Sequence, residues 1–139
     1  MTQCVFCRIV AKEIPAALVY EDEQTLAFMD AGQVNPGHVL VAVKGHAENL
    51  YELNDVQAGA LLRTAARVAR AIRDAYQPQG LSVYQANGKA AWQSVFHYHM
   101  HLVPRHEGDG MALTWPAKNP PREKLAEYAT ALRESLRRN

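Results

Sequence analysis

The sequence predicts an α+β fold in which one antiparallel sheet carries helices on one face. Three observations lead to this class. The order of predicted elements, α-β-β-β-α-β-β-α, lacks the regular strand–helix alternation of a doubly wound parallel sheet. Residues 54–76 repeat apolar side chains every three or four positions, which is the period of a helix. Residues 97–102 alternate strictly between histidine and apolar residues, which is the period of a strand.

The composition is that of an ordinary globular protein, and we predict a single domain that spans residues 1–139. The chain is 48% hydrophobic and 21% charged, with a formal net charge of +1. This balance argues against disorder, and no strong field attracts nucleic acid or a membrane surface. The start, "MTQCVFCRIV", lacks a basic leader and a long apolar core, so we expect a cytoplasmic protein.

The first half contains a short helix and three strands. Residues 4–14 form a helix that ends before Pro15. Residues 17–22 and 24–30 are two strands joined by an acidic turn, and "NPG" marks the next turn. Residues 38–46 are apolar enough to form a central strand.

A long helix follows, with Asn54 as its N-cap and Gln57 as capping-box partner. Pro78 and Gly80 end the helix. Its apolar stripe comprises Val56, Ala60, Leu61, Ala65, Val68, Ala69, Ile72 and Tyr76. Four arginines lie off that stripe, and they form either an anion-binding face or, as exposed charges usually do, a solvated surface. They are Arg63, Arg67, Arg70 and Arg73.

Two more strands and a helical tail complete the chain. The strands are residues 81–86 and 95–105, joined by "NGKAAWQ". Residues 121–138 form the tail helix, with Pro121 in its first turn. The apolar side of this helix comprises Leu125, Tyr128, Ala129, Leu132 and Leu136.

His97, His99 and His101 share one face of the last strand, while Tyr98, Met100 and Leu102 pack on the helices. Neighbouring imidazoles then lie roughly 6–7 Å apart, so the row lines a groove instead of binding one ion. Stability alone gives no reason for such a row. Neutral imidazole is a nucleophile near neutral pH, so the central His99 is a candidate to attack phosphorus.

The segment "HYHMHLV" matches alternating histidine and apolar positions, and resembles the signature of the histidine triad (HIT) family. "CVFCRIVAKEIPAALVYEDEQTLAFMD" and "NPGHVLVAVKGH" resemble the family's earlier blocks, so the resemblance covers a triad core of about residues 4–105. It implies a HIT-like fold, with a five-stranded antiparallel sheet, a long helix and a C-terminal helix, and a homodimer.

The resemblance also implies a nucleotidyl hydrolase or transferase that cleaves at the α-phosphate of nucleoside phosphoramidates. His99 would form the covalent nucleotidyl intermediate, and His101 would contact the phosphate and assist the leaving group. His38 would support the triad, and Ser94 would place a hydroxyl near the phosphate. No cofactor is required for this chemistry, and the ligand would be a purine nucleotide or nucleotidyl conjugate.

Several residues would bind the nucleotide by the same resemblance. Asp30 matches a ribose-binding carboxylate, although its local sequence equally fits a turn-initiating Asp. Phe6, Ile9 and Phe28 would form the base slot, although the residues alone favour core positions. Asn87 and Gln93 complete the set. The chain departs from the family at Ala86, where an amide is usual, and at Trp92, where glycine is common. Either Asn87 replaces the missing amide or that contact is lost.

A zinc site is implied by two cysteines and two histidines. Some family members hold a structural zinc at positions that correspond to Cys4, Cys7, His46 and His97. Cys₂His₂ is a closed tetrahedral set that suits a structural ion. The alternative is a pair of reduced thiols, whereas a thioredoxin-like redox pair is disfavoured because no strand precedes it.

Three other functions remain open. A dinucleoside polyphosphate hydrolase would use the same histidines. A nucleotide-binding module with little turnover would bind nucleotide without forming the covalent intermediate. A metal-binding protein would use the His-x-His pairs as ligands.

Overall fold

The computed structural model describes residues 3–139, so Met1 and Thr2 of the predicted single domain lie outside the described residues. Two short 3₁₀ helices, Leu50–Glu52 and Lys89–Ala91, lie in loops. In residues 3–139 no helix is both long and apolar enough to cross a bilayer. The main elements are α1 (Val5–Val10), β1 (Leu18–Glu21), β2 (Thr25–Met29), β3 (Val39–Val43), α2 (Asp55–Tyr76), β4 (Gly80–Tyr84), β5 (His99–Arg105) and α3 (Arg122–Arg138).

The five strands form one sheet in the order β1-β2-β3-β5-β4. Every neighbouring pair is antiparallel, which confirms the predicted five-stranded antiparallel sheet. A short turn connects β1 to β2, the loop of residues 30–38 connects β2 to β3, and α2 then leads to β4 at the far edge. β5 returns between β3 and β4, so the histidine segment lies inside the sheet.

Both faces of the sheet are covered, so the prediction of helices on one face is wrong. On one face α2 packs Leu61, Val68 and Ile72 against apolar residues of β2, β3 and β5. On the other face Phe6 and Ile9 of α1 pack against Leu26, Phe28, Leu40 and Ala42. The cause is that β3 is apolar at every position and β2 is apolar at every position except Thr25, so neither face can be left to solvent.

The N-terminus of α2 forms as predicted, with the capping box between Asn54 and Gln57. The helix ends at Tyr76 because Gln77 takes a left-handed conformation with φ 48°. Two residues of the predicted stripe, Val56 and Tyr76, are exposed because they lie at the helix ends, beyond the sheet. Thr64 is buried instead, because its hydroxyl lies 2.7 Å from that of Thr25.

The packing of α2 on the sheet predicts which leucine of this helix stabilises the fold, and the next residue provides a control. Leu61 is 1% exposed and Leu62 is 67% exposed. We expect Leu61→Ala to lower the free energy of unfolding by about 3 kcal/mol, because it leaves a cavity between helix and sheet. Leu62→Ala is expected to change it by less than about 0.5 kcal/mol. Urea denaturation measures both, and equal effects would contradict this packing.

The strands β1 to β4 differ from their predicted bounds by one to three residues at each end, and three other boundaries shift for identifiable reasons. α1 ends at Val10, not residue 14, since Lys12 has φ 63°, which a helix does not accommodate. β5 begins at His99, not residue 95, because the preceding residues form the loop that carries His97. α3 begins at Arg122, with Pro121 as its N-cap. The apolar side chains of α3 are exposed in this chain, namely Leu125, Tyr128, Leu132 and Leu136.

Candidate active site

β5 presents His99 and His101 on the sheet face that α1 covers, because Met100 and Leu102 between them pack with the α2 core. The two ring centroids lie 5.2 Å apart. His97 precedes the strand, so its predicted place within β5 is wrong, although its ring lies on the same α1 side, where Phe6 contacts both His97 and His99. The site therefore contains a pair of facing imidazoles, with the third histidine assigned elsewhere.

The imidazoles of this region are held in their neutral form. Burial lowers the pKa of His38 and of His99, and Asp30 partly offsets the effect in both. Burial, followed by repulsion from His99 and His38, lowers the pKa of His101 to about 4 against the opposing attraction of Asp30. At neutral pH each ring then carries one proton, so its hydrogen bonds determine which nitrogen holds it.

The proton of His99 is fixed by a backbone carbonyl. Its Nδ1 lies 2.8 Å from the carbonyl oxygen of His97. A carbonyl oxygen can only accept, so Nδ1 carries the proton and donates it. The lone pair is therefore on Nε2, which is the nitrogen that a nucleophile needs.

His101 is oriented by His38 and Asp30. His38 Nε2 lies 2.9 Å from His101 Nδ1, and Val34 N–H donates to His38 Nδ1 at 3.2 Å. Because a backbone N–H can only donate, His38 carries its proton on Nε2 and donates it to His101. His101 then keeps its own proton on Nε2. Asp30 Oδ2 lies 3.3 Å from His38 Nε2 and 3.6 Å from His101 Nδ1.

A cavity of about 470 Å³ opens in front of these rings. It brings together seven of the residues predicted to bind or transform the nucleotide. One wall is apolar and the other polar, which is the character of a ligand site. The seven are Phe6, Ile9, Phe28, Asp30, Ser94, His99 and His101, and sequence reasoning missed Pro15, Ala16, Ala17, Met29, Ala31, Leu40 and Val95.

Asn87 and Gln93 lie outside that lining among the described residues. Asn87 Oδ1 accepts from Leu50 N–H at 2.7 Å, and its amide pairs with Gln85. Buried Gln93 accepts from Gly88 N–H and donates to the carbonyl of Glu48. Both side chains thus hold the loop that precedes β5, and their predicted nucleotide contacts remain predictions.

Trp92 has φ 69°, a left-handed conformation that glycine adopts without strain. This backbone geometry is compatible with the glycine that the family resemblance implies at this position. The indole is 83% exposed, two residues before Ser94 on the cavity wall.

The second cluster comprises Cys4, Cys7, His46 and His97. Cys4 caps α1 and Cys7 lies in its first turn, so the C-x-x-C spacing brings both sulfurs to one helix end. His97 Nδ1 lies 3.4 Å from Cys4 Sγ, 3.5 Å from Cys7 Sγ and 3.2 Å from His46 Nδ1. Cys7 Sγ lies 3.3 Å from His46 Nδ1.

These separations fit a tetrahedral zinc ion. Ordinary zinc bond lengths place sulfur and nitrogen ligands roughly 3.5 Å apart and two nitrogens roughly 3.3 Å apart. His97 Nε2 lies 2.6 Å from the carbonyl of Val43, so it donates there and leaves Nδ1 for a metal, as metal-bound histidines usually do. Burial also lowers the pKa of His97, which keeps this ligand neutral.

The ligand atoms of Asp30, His38 and His101 also lie close together. A metal is disfavoured there, because a metal-bound histidine usually donates its other ring N–H to an acceptor. A metal on His38 Nε2 requires the proton on Nδ1, where it would face the Val34 N–H. The geometry therefore fits hydrogen bonding within this group.

The low pKa of His101 predicts that stability depends on pH. Between about pH 6.5 and pH 4 the unfolded chain binds a proton at this position that the folded chain does not, so stability falls as pH falls. We expect the unfolding free energy of wild type to drop by about 1–2 kcal/mol more between pH 7.5 and pH 5 than that of His101→Asn. Urea titrations measure this, with exposed His106→Asn as control. Parallel slopes for wild type and His101→Asn would contradict the assignment.

A HIT domain model matches residues 11–108. The chain belongs to the HIT family. Its relatives include protein hit of Bacillus subtilis, 51% identical over 113 residues, which are 81% of this chain and 78% of that protein. The adenosine 5'-monophosphoramidase of Schizosaccharomyces pombe is 36% identical over 115 residues, or 82% of this chain and 84% of that enzyme.

Solved structures of HIT proteins confirm the fold. A HIT family member from Bacillus subtilis superposes with a TM-score of 0.91 and 44% identity, covering 96% of each chain. A zinc-bound histidine triad family protein from Mycobacterium smegmatis gives a TM-score of 0.74 and 35% identity, covering 93% of this chain and 97% of that one. The predicted family and fold class are therefore confirmed.

Proposed function

We propose that this HIT protein is a nucleotidyl hydrolase or transferase that cleaves nucleoside phosphoramidates at the α-phosphate. The observation that carries the proposal is the pair of tautomers beside the cavity. The carbonyl of His97 leaves the Nε2 lone pair of His99 available, and His38 leaves the proton of His101 on Nε2. A nucleophile and a hydrogen-bond donor thus face one ligand site. The relative from Schizosaccharomyces pombe that bears the name adenosine 5'-monophosphoramidase supports the substrate class.

In the first step His99 Nε2 attacks the α-phosphorus and forms a phosphorus–nitrogen bond. The bond between phosphorus and the leaving nitrogen breaks, and its electron pair stays with that nitrogen. The leaving nitrogen takes the proton from His101 Nε2 and departs as an amine. His99 becomes cationic as His101 gives up its proton, so the net charge of the pair is unchanged. The hydrogen bond from His38 stabilises the charge left on His101.

In the second step a water oxygen attacks phosphorus and displaces His99 Nε2. The proton of that water returns to His101, and the nucleoside monophosphate leaves. Phe6, Ile9, Phe28 and Asp30 line the cavity. The three apolar side chains would contact a purine base, and the carboxylate of Asp30 would accept from ribose hydroxyls. Ser94 adds a hydroxyl on the polar wall.

Zinc is part of the proposal as a structural ion held by Cys4, Cys7, His46 and His97. The spacing of these ligands supports it, as does the zinc-bound neighbour from Mycobacterium smegmatis. The ion would tie α1 to the start of β5 and take no part in bond breaking. A cytoplasmic location remains a prediction from the N-terminal composition.

We also propose a homodimer. β4 is an edge strand with unpaired backbone groups, and Leu81 and Val83 on it are 36% and 57% exposed. An exposed apolar edge of this kind is a template for pairing with another strand, and the same edge of a second copy would cover it. Sedimentation equilibrium of wild type and Val83→Lys measures this directly, with dimer and monomer as the respective expected masses.

Two substrates test the proposed function against its nearest alternative. We expect kcat/KM for adenosine 5'-phosphoramidate to exceed that for a diadenosine polyphosphate by at least about tenfold, a difference of about 1.4 kcal/mol in transition-state stabilisation. The reverse ratio would support the dinucleoside polyphosphate hydrolase. Nucleotide binding without turnover of either substrate would support the binding module.

A further inference from the structure

Gln33 lies in the loop between β2 and β3 that carries Asp30 and His38 at its ends. Its side chain is solvent-exposed, yet every hydrogen-bonding position of its amide is used. Nε2 donates to the carbonyl oxygens of Asp30 and His38, each at 2.6 Å. Oε1 accepts from the N–H groups of Gly37 and His38, each at 3.0 Å. An amide offers two donors and two acceptor positions, so this one is saturated.

This clamp controls the backbone next to it. Gln33 and Val34 share a peptide group, and the N–H of that group is the one that donates to His38 Nδ1. The clamp fixes the loop at both ends, and so fixes the direction of this N–H. A ring nitrogen that accepts from a backbone N–H cannot itself carry a proton. The clamp therefore holds the proton of neutral His38 on Nε2.

The position of the His38 proton in turn determines the proton position on His101, which lies on the polar wall of the cavity. His38 Nε2 donates to His101 Nδ1 across 2.9 Å, which keeps the proton of His101 on Nε2. If the Val34 N–H turned away, His38 would be able to hold its proton on Nδ1. His38 Nε2 would then accept from His101 Nδ1, and His101 would present a bare nitrogen to the leaving group.

We propose that Gln33 is a positioning residue that sets the tautomer of His38 and, through it, the proton on His101 Nε2. The tautomer part depends on the loop geometry together with Asp30, whose Oδ2 lies 3.3 Å from His38 Nε2 and also favours the proton there, and it requires no turnover. Its consequence for turnover rests on the proposed function, because it requires that His101 supply a proton to the leaving group.

The tautomer is measured by ¹H–¹⁵N correlation spectra of the histidine rings in the zinc-loaded protein, without substrate. We expect His38 and His101 of wild type to be protonated on Nε2. Gln33→Met, which keeps the length but removes all four hydrogen bonds, is expected to move His38 toward the Nδ1-protonated form. Gln33→Glu loses both donated bonds and is expected to shift the same equilibrium, so the test survives if one variant folds poorly.

The kinetic consequence is measured with two adenosine substrates that differ in the leaving group. An alkyl phosphoramidate needs a proton on its leaving nitrogen, whereas a 4-nitrophenyl phosphate ester releases a stable phenolate. We expect Gln33→Met to lower kcat about 10- to 100-fold for the phosphoramidate and less than about threefold for the nitrophenyl ester, because only the first needs general-acid assistance. KM is expected to stay within about twofold for both, since no binding group is removed.

Gln57→Met is the matched control, since it removes a structural side-chain hydrogen bond at the start of α2, far along the chain from the loop. We expect it to lower the Tm without changing kcat or either tautomer. An unchanged His38 tautomer in Gln33→Met, or an equal loss of kcat for both substrates, would overturn the proposal. If wild type hydrolyses neither substrate, the proposed function fails, while the ring spectra still decide the role of Gln33.

Discussion

Replacing His99 with alanine is expected to lower kcat/KM for adenosine 5'-phosphoramidate by about 10⁴-fold or more, because it removes the ring nitrogen that we propose forms the covalent bond to phosphorus. His99→Asn is expected to be equally inactive, although its amide can still donate to the carbonyl of His97. Steady-state kinetics with phosphoramidate gives the measurement.

The matched control for these variants is His106→Ala. His106 is exposed and follows β5 in the same segment of chain. We expect it to retain wild-type kcat, and all three variants to retain one zinc per chain, because His99 is not part of the Cys/His cluster. A His99→Ala enzyme within tenfold of wild type would show that another group attacks phosphorus. Loss of zinc in His99→Ala would instead favour a metal-binding function.

Removing the proposed zinc site is expected to cause the largest loss of stability. Cys7→Ser and His46→Ala each remove one ligand, and we expect the zinc content to fall from one per chain to near zero. The Tm is expected to fall by about 10 °C or more, because ion binding contributes several kcal/mol to folding. Elemental analysis and calorimetry on the same samples provide both numbers.

Loss of zinc is also expected to perturb the candidate active site, because Phe6 contacts residues of both sites. The ring of Phe6 packs edge-on against His97 and His99, with centroids 5.9 Å and 5.0 Å away. His97 in turn accepts the hydrogen bond that fixes the tautomer of His99. His106→Ala is again the control, and we expect it to retain zinc. If zinc-free wild type unfolds at the same temperature as the zinc-loaded protein, the structural role of the ion is wrong.

The sequence predicts the sheet and the facing pair of imidazoles because both depend on local period. Alternation places Met100 and Leu102 toward α2, so His99 and His101 must face the other way. His97 lies outside β5, and its ring contacts Cys4 and Cys7 at the end of α1. These contacts join residues 90 and 93 positions apart, which no local pattern specifies. Only the family resemblance pointed to them.

The tautomers of His38 and His101, and the part that Gln33 plays in them, could not be predicted from the sequence for a different reason. Gln33 is one polar residue in a polar turn, with no periodic or motif signal. Its role depends on four backbone groups that converge only when β2 and β3 pair and bring Asp30 N–H to the carbonyl of His38. Likewise, Asn87 and Gln93 carry amides suited to a ligand, but the folded loop directs them to backbone groups at Leu50 and Glu48.

The most direct measurement of the central claim is the intact mass of wild-type protein mixed for milliseconds with adenosine 5'-phosphoramidate and quenched with base, which preserves phosphorus bound to histidine. We predict a population heavier by one adenylyl group, which peptide sequencing maps to His99 and which His99→Asn lacks. Turnover of the phosphoramidate with no such adduct at any quench time, or an adduct on His101, would contradict this prediction.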